Sequence, residues 1–418
     1  MLKLPRGTRD FSPDDMNKRN YVENSMRATF EKYGYKEVET PVIEYLELFT
    51  KKSGETIIDE IYTFKDKGGR ELSLRPELTA PVIRFYIDKL QMKPKPLKLF
   101  YFGKCYRYDR PQKGRYREFK QAGCEIIGTN KPEALAELIS MSYNILRNIG
   151  VKDIILNIGN LKILSYFFDE LKLSKDQRKY IMPLIDKSKI EDLKGAFNKF
   201  GLNEIKVEKF LNILKTDDIC NVLNFINDKN EIIDEINNLK EIFKFLNSSF
   251  KIKFNLKLGI VRGLDYYTGL VFEIEAPSLG AEKQICGGGQ YDLINIFGGK
   301  ETPTSGFAIG FDRTIISLEM EKYNFPEEKL DFYIIPVNDN MIEKSLEIIE
   351  LIRNKNVKVD IDLLRRGVGK SLKYASSINV LNSIIIGPKE LNNNSVTIRN
   401  METGNQKIIK LDQLIKSI

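Results

Sequence analysis

Cys105-Tyr106-Arg107-Tyr108-Asp109-Arg110-Pro111-Gln112-Lys113-Gly114-Arg115-Tyr116-Arg117-Glu118-Phe119-Lys120-Gln121-Ala122-Gly123-Cys124-Glu125 is the stretch around which the rest of the chain is arranged. It reads as strand, loop, strand. The run Leu97 to Arg107 is aromatic and alternating, Pro111 and Gly114 punctuate the middle, and the apolar pattern resumes from Phe119 to Ile127. Between Arg107 and Lys120 six basic residues face two acids, a charge able to hold a polyphosphate or an RNA end. A solvated basic hairpin is the plainer reading of such a cluster. Arg107 and Phe119 weigh against it, because at the two strand ends they can point into one cleft.

Composition narrows the chemistry further. The 418 residues suggest about three domains, and 42% hydrophobic with 30% charged residues is the balance of a globular protein. A net charge of +8 is compatible with an acidic partner without requiring one. Four cysteines (Cys105, Cys124, Cys220, Cys286) show no CxxC spacing, so free thiols and no zinc site are expected. Met1 to Arg6 carries no signal-peptide core and no apolar run is long enough for a membrane span, which points to the cytoplasm. There is no histidine at all. That removes Ser-His-Asp hydrolysis, HExxH metalloenzymes and every imidazole general base. Whatever is catalysed must rest on Arg, Glu, backbone groups and metal ions.

In chain order, Ser12 and Pro13 mark the start of an amphipathic helix that Gly34 ends. A short strand over Lys36–Thr40 follows, then a hairpin of residues 61–65 and 71–74, and a helix from about Pro81 to Leu90. Residues 132–149 read as a helix and 153–158 as a strand. From 161 to 250 the texture is all-helical, the mark of an inserted domain whose apolar residues are core. Strand and glycine character then returns: Phe254 to Leu258 as a strand, a loop over 259–269 that contains Arg262-Gly263-Leu264-Asp265-Tyr266-Tyr267, the strand Leu270 to Ile274, then the glycine-bearing blocks Gly287 to Asp292 and Gly306 to Arg313, the last leading into a helix. The strands before and after the helical block are expected in one sheet. From 329 alternating strands and helices indicate a small α/β domain. Its Gly367-Val368-Gly369-Lys370-Ser371 is no phosphate loop, since Leu364 stands where the first glycine of GxxxxGK[ST] is required. Arg365, Arg366, Lys370 and Lys373 read as a solvated or RNA-facing edge.

Arg107 to Glu125, Arg262 to Tyr267, Gly287 to Asp292 and Gly306 to Arg313 resemble, in order and spacing, the signature blocks of histidyl-tRNA synthetase, a class II aminoacyl-tRNA synthetase. The resemblance spans the chain from Arg6-Gly7-Thr8 to the last α/β domain. Residues 110–117 and 262–267 are its most specific parts. It implies an α+β fold: an antiparallel catalytic sheet of six to seven strands flanked by helices (1–160 and 251–328), a helical insertion (161–250), a C-terminal anticodon-binding domain (329–418), and a homodimer. It also implies ATP-dependent activation of L-histidine to histidyl-adenylate and transfer to the 3′ end of tRNA(His), with Mg²⁺ bound along with ATP and no dedicated protein metal cage.

The same resemblance implies roles residue by residue. Arg107 would contact the α-phosphate and the substrate carboxylate, and Arg262 would stabilise the α-phosphate from a second side, making these two the catalytic pair. Phe119 would stack on adenine, with Asp109, Arg115 and Arg313 completing the ATP site. Glu77 and Thr79 would hold the amino acid's ammonium with help from Gln121. Glu125 and Tyr267 would read the imidazole, and Tyr266 would line the same pocket. Arg110 and Gln112 at the loop tip would meet the acceptor end of the tRNA. A neutral imidazole has one N–H and one acceptor nitrogen, so a carboxylate and a phenol can pair with both. Four positions depart from the common pattern: Asp109 where Glu is usual, Gln290 where Arg is usual, and Tyr108 and Lys120 where His is frequent. The alternative with the same fold is the non-catalytic regulatory subunit of ATP phosphoribosyltransferase. It lacks the anticodon domain, so the block after 329 and the intact 262–267 motif argue against it.

Overall fold

In the computed structural model, which describes residues 2–53, 55–110, 114–226, 230–260 and 267–418, the central stretch forms two long antiparallel strands, β5 (Leu97–Tyr106) and β6 (Glu118–Ile127). With strands numbered in chain order, β6 pairs with β11 (Thr304–Gly310), then β10 (Gln284–Tyr291), β9 (Tyr267–Glu275) and β7 (Ile155–Asn160), all antiparallel. Short parallel strands close the two edges, β1 (Lys36–Glu37) on β5 and β8 (Asn255–Leu256) on β7. The strands on either side of the helical block therefore share one sheet. The strand expected over Lys36–Thr40 is cut to two residues, and its end supplies Thr40 and Pro41 carbonyls to the buried guanidinium of Arg75 instead of a ladder.

Alternation along β5 and β6 sorts side chains to the two faces of the sheet. Phe100, Ala122, Cys124 and Ile126 join the main core, which also takes Phe30 and Met26 of the helix Pro13–Lys32, Leu138 and Met141 of the helix Pro132–Ile149, and Ile181, Phe197 and Phe210 of the helical block. Leu99, Tyr101 and Cys105 face the other way, onto Leu78, Val82 and Tyr86. Ser12 starts the first helix through a capping box with Asp15, Pro13 occupies the first turn, and Gly34 follows at φ +81°. The helix expected from Pro81 begins two residues earlier at Thr79, because the Glu77 carboxylate accepts the backbone N–H groups of Thr79 (2.6 Å) and Ala80 (3.0 Å). The expected hairpin is β3 (Thr63–Lys65) and β4 (Glu71–Leu74), and β2 (Ile43–Tyr45) adds a third strand on β4.

The described chain divides into two compact units, Met1–Phe325 and Pro326–Ile418. The second is a five-stranded sheet in the order β13 (Val359–Ile361), β12 (Phe332–Pro336), β14 (Asn382–Ile386), β15 (Ser395–Asn400), β16 (Gln406–Lys410), parallel across its first three strands and antiparallel thereafter. Within it Ser371 is fully buried with its hydroxyl on the Asp362 carboxylate, which also accepts from Arg366 and from the backbone of Leu364 and Arg366. Gly367–Ser371 is thereby the braced start of a helix, in keeping with the absence of a phosphate-loop pattern. No helix among the described residues is long and apolar enough to cross a membrane.

Candidate active site

The β5–β6 register sets the site. Cys105 lies opposite Phe119, Gly103 opposite Gln121, Tyr101 opposite Gly123 and Leu99 opposite Glu125, so Phe119, Gln121 and Glu125 occupy one face of β6 at a two-residue repeat. Above that face is a cleft of about 450 Å³. Glu77, Thr79, Arg107, Asp109, Arg115, Phe119, Gln121, Tyr267 and Arg313 all line it, brought together from as far apart in the chain as Glu77 and Arg313. Arg110 is exposed beyond it. Arg262, Tyr266 and Gln112 lie outside the described residues.

One end of the cleft is basic. Arg107 donates from Nε to the Pro76 carbonyl (3.0 Å), and its guanidinium sits 5.2 Å from the centre of the Phe119 ring. Arg313 donates to the carbonyls of Gly114 (3.0 Å) and Gln284 (2.7 Å), so a helix-borne arginine holds the hairpin on one side and β10 on the other. Both arginines are thus anchored through backbone carbonyls, which fix their direction.

The other end is buried and acidic. Glu125 is 1% exposed, lying beneath the cleft, and both its oxygens accept from phenols: Oε1 from Tyr101 at 2.8 Å and Oε2 from Tyr291. Burial pushes its carboxyl up to about 8, against the opposing pull of the Tyr291 and Tyr101 hydroxyls. Two glycines make this packing possible. A Cβ at Gly306 would stand 1.7 Å from Glu125 Oε2, and one at Gly123 would stand 2.7 Å from the Tyr101 hydroxyl. The Thr79 hydroxyl lies 3.4 Å from that of Tyr101, so a polar chain runs from the Glu77–Thr79 loop to Glu125. Cys105, fully buried, donates from Sγ to Gln121 Oε1 at 3.3 Å, and all four cysteines are free thiols as expected.

A mostly antiparallel sheet with an arginine-rich hairpin over it accords with the class II synthetase fold that the sequence resemblance implies. Residues 7–314 match the family model described as histidyl-tRNA synthetase, and residues 331–418 match the one described as anticodon binding domain. The chain belongs to the histidyl-tRNA synthetase family. The histidine–tRNA ligase of Methanocaldococcus jannaschii is 45% identical over 99% of both chains. The apo histidyl-tRNA synthetase of S. aureus superposes with a TM-score of 0.74 at 29% identity, over 100% of this chain and 99% of that one. A Nostoc histidyl-tRNA synthetase shares the fold, with a TM-score of 0.84 over the same shares at 23% identity.

Two departures from the usual synthetase pattern have a structural account. Gln290 accepts the backbone N–H of Leu270 at 2.9 Å, where the pairing of β9 and β10 shifts register between Gly289 and Tyr291. It therefore satisfies a donor that the bulge leaves without a ladder partner. Lys120 pairs with Glu23 and lies over Phe311, serving the helix behind the sheet. Sequence reasoning missed Tyr101 and Tyr291, the two donors to Glu125. The two-residue alternation of β5 would have placed Tyr101 on the cleft face, while no sequence signal pairs Tyr291 with a residue 166 positions away.

Proposed function

We propose that this chain activates L-histidine with ATP to histidyl-adenylate and then transfers the histidyl group to the 3′ end of tRNA(His). The observation that carries the reading is the juxtaposition, in one cleft, of Arg107, Phe119 and Arg313 with Glu77, Thr79, Gln121 and Tyr267, above the buried Glu125. The substrate carboxylate attacks the α-phosphorus, the bond to pyrophosphate breaks, and pyrophosphate leaves. The 3′-terminal hydroxyl then displaces AMP from the adenylate. A carboxylate is already a nucleophile, so the first step needs no protein base and is compatible with a chain free of histidine.

In this reading Arg107 and Arg262 neutralise charge at the α-phosphate, with Arg107 also touching the substrate carboxylate. Phe119 stacks on adenine while Asp109, Arg115 and Arg313 serve the rest of the nucleotide. Glu77 and Thr79 take the ammonium with Gln121, and Glu125, Tyr266 and Tyr267 surround the imidazole. Arg110 and Gln112 meet the acceptor end. Mg²⁺ would come as a companion of the triphosphate, with carboxylates lining the cleft, such as Asp109 and Glu273, available to it. The phosphates would supply its remaining ligands, and its contribution would be charge neutralisation on the leaving pyrophosphate. The half-exposed apolar row Ile43, Tyr45 and Phe64 on the small sheet favours a second copy of the chain as a partner.

Histidine-dependent ATP–pyrophosphate exchange by the pure protein with Mg²⁺ tests the reading. Exchange is expected with histidine alone among the amino acids; its absence would sink the enzymatic assignment and favour a regulatory role for the fold.

A further inference from the structure

Four of the contacts that hold the hairpin residues 114–120 come from just two short segments. Arg313 Nε donates to the Gly114 carbonyl at 3.0 Å. The Arg9 guanidinium lies 3.5 Å from the centre of the Tyr116 ring. The Gly7 carbonyl accepts the N–H groups of Arg117 (3.0 Å) and Glu118 (3.3 Å). Asp312 Oδ2 accepts the N–H of Lys120 at 2.7 Å. Residues 7–9 and 312–313 thus clasp the returning limb of the hairpin, and Gly114, Arg115, Tyr116, Phe119 and Lys120 on that limb line the cleft.

The two segments are fastened to each other by one ion pair, Arg9 to Asp312 Oδ1 at 2.8 Å. Asp312 does not need Arg9 for its own neutralisation. Arg19 already reaches the same oxygen at 2.7 Å, with its guanidinium over Phe11 and Phe311. A second guanidinium on one buried oxygen adds like-charge repulsion, and Arg9 Nε is left buried without a hydrogen-bond partner. What offsets that cost is what Arg9 contacts besides the carboxylate: the ring of Phe11 at 5.1 Å and, much closer, the face of Tyr116 at 3.5 Å.

We propose that Arg9 and Asp312 are positioning residues for the nucleotide: their pair locks the N-terminal segment to the start of the Phe311–Met320 helix, so that the hairpin and Arg313 present one preset surface to ATP. Neither needs to touch the ligand. The histidine end, built from Glu77, Gln121 and Glu125, has no contact with either segment through these bonds, so the effect is confined to ATP. The inference rests on the proposed placement of ATP in this cleft.

Arg9→Ala leaves Asp312 paired with Arg19 and the Lys120 N–H, so the fold is retained. In exchange kinetics its KM for ATP should rise roughly tenfold, about the worth of one charge-assisted hydrogen bond, with the KM for histidine within about twofold of wild type. Arg9→Lys keeps the charge but not the flat stack, and should fall between. Asp312→Asn should have a larger effect on the same constant, and the double variant should show less than the sum of the two. Amide hydrogen exchange gives a reading independent of turnover: residues 114–120 should exchange faster in Arg9→Ala, and the strand 122–127 should not. Equal changes in both KM values, or unchanged exchange at 114–120, overturns the proposal. A wild-type protein without histidine-dependent pyrophosphate exchange removes the functional reading alone, and the amide exchange then decides whether the clasp exists.

Discussion

The two ends of the cleft solve opposite problems. At the basic end, Arg107 and Arg313 are half-buried and tied to backbone carbonyls, an arrangement that fixes their direction toward the cleft they line. At the other end, Glu125 is removed from water and surrounded by phenols, so its charge is suppressed until a partner arrives. The first design suits a highly charged substrate that loses and redistributes charge in reaction. The second suits discrimination, because a buried polar group left unpaired by the wrong ligand is costly, and sites that pair such groups can reject analogues by roughly 10⁴–10⁵. On the proposed reading, affinity for charge and selectivity for shape lie on separate stretches of one strand pair.

The largest effect that would sharpen this contrast is expected from Arg107→Ala. Removing one fixed charge stabiliser costs about 2.7–4 kcal/mol in barrier, so kcat for adenylate formation should drop by roughly 10²–10³. Thermal unfolding should be close to wild type, since the side chain makes one backbone hydrogen bond. A variant that keeps kcat and loses only affinity would mean that Arg107 grips the ground state. At the other end the corresponding change is steric. Gly306→Ala would put a methyl 1.7 Å from Glu125 Oε2 and 2.5 Å from the Cys124 carbonyl, so backbone as well as side chain must yield. A loss of about 1–3 kcal/mol in denaturant unfolding is expected, with the KM for histidine rising and that for ATP little changed. Unaltered histidine kinetics would detach Glu125 from substrate recognition.

How much of this the sequence discloses differs between the same two ends. The basic hairpin is legible because charge, proline and glycine punctuation, and the flanking Arg107 and Phe119 all lie within fifteen residues. The Ser12–Pro13 helix start, the return of the chain to one sheet after the helical block, and the alternating C-terminal unit are legible for the same reason: their signals are local. The buried end is not. Glu125 looks like any other acid until burial and the hydroxyls of Tyr101 and Tyr291 are known, and only the family resemblance singled it out. Nothing marks Asp312 as the meeting point of Arg9, Arg19 and the Lys120 backbone, because those partners come from three remote segments. The strand through Gly287, Gly288 and Gly289 was legible as a glycine block but not as a strand. Glycine weakens a strand by propensity, yet here a Cβ at Gly288 would stand 2.3 Å from the Gly306 carbonyl, and close packing overrides propensity.

The smallest effect is also the most specific to the buried end, because it depends on protons. With its carboxyl raised to about 8, Glu125 stays protonated in the folded chain over a range where the unfolded chain, near its ordinary value of 4.5, has already ionised. The folded state then holds more protons than the unfolded one, so stability falls as pH rises between about 4.5 and 8, by at most about 1.4 kcal/mol per pH unit from this group. Glu125→Gln should remove that slope. The same proton bears on recognition. If the carboxylate accepts the imidazole N–H while a phenol donates to the other nitrogen, histidine binding near pH 7 must expel the Glu125 proton. Histidine affinity should therefore climb with pH and level off above about 8, and calorimetry in buffers of different ionisation enthalpy should register close to one proton released at pH 7. Proton uptake would reverse the roles, making Glu125 the donor, while no proton exchange would mean that the phenols already hold it ionised in the free protein; either result would leave the basic end's account intact and rewrite that of the buried one.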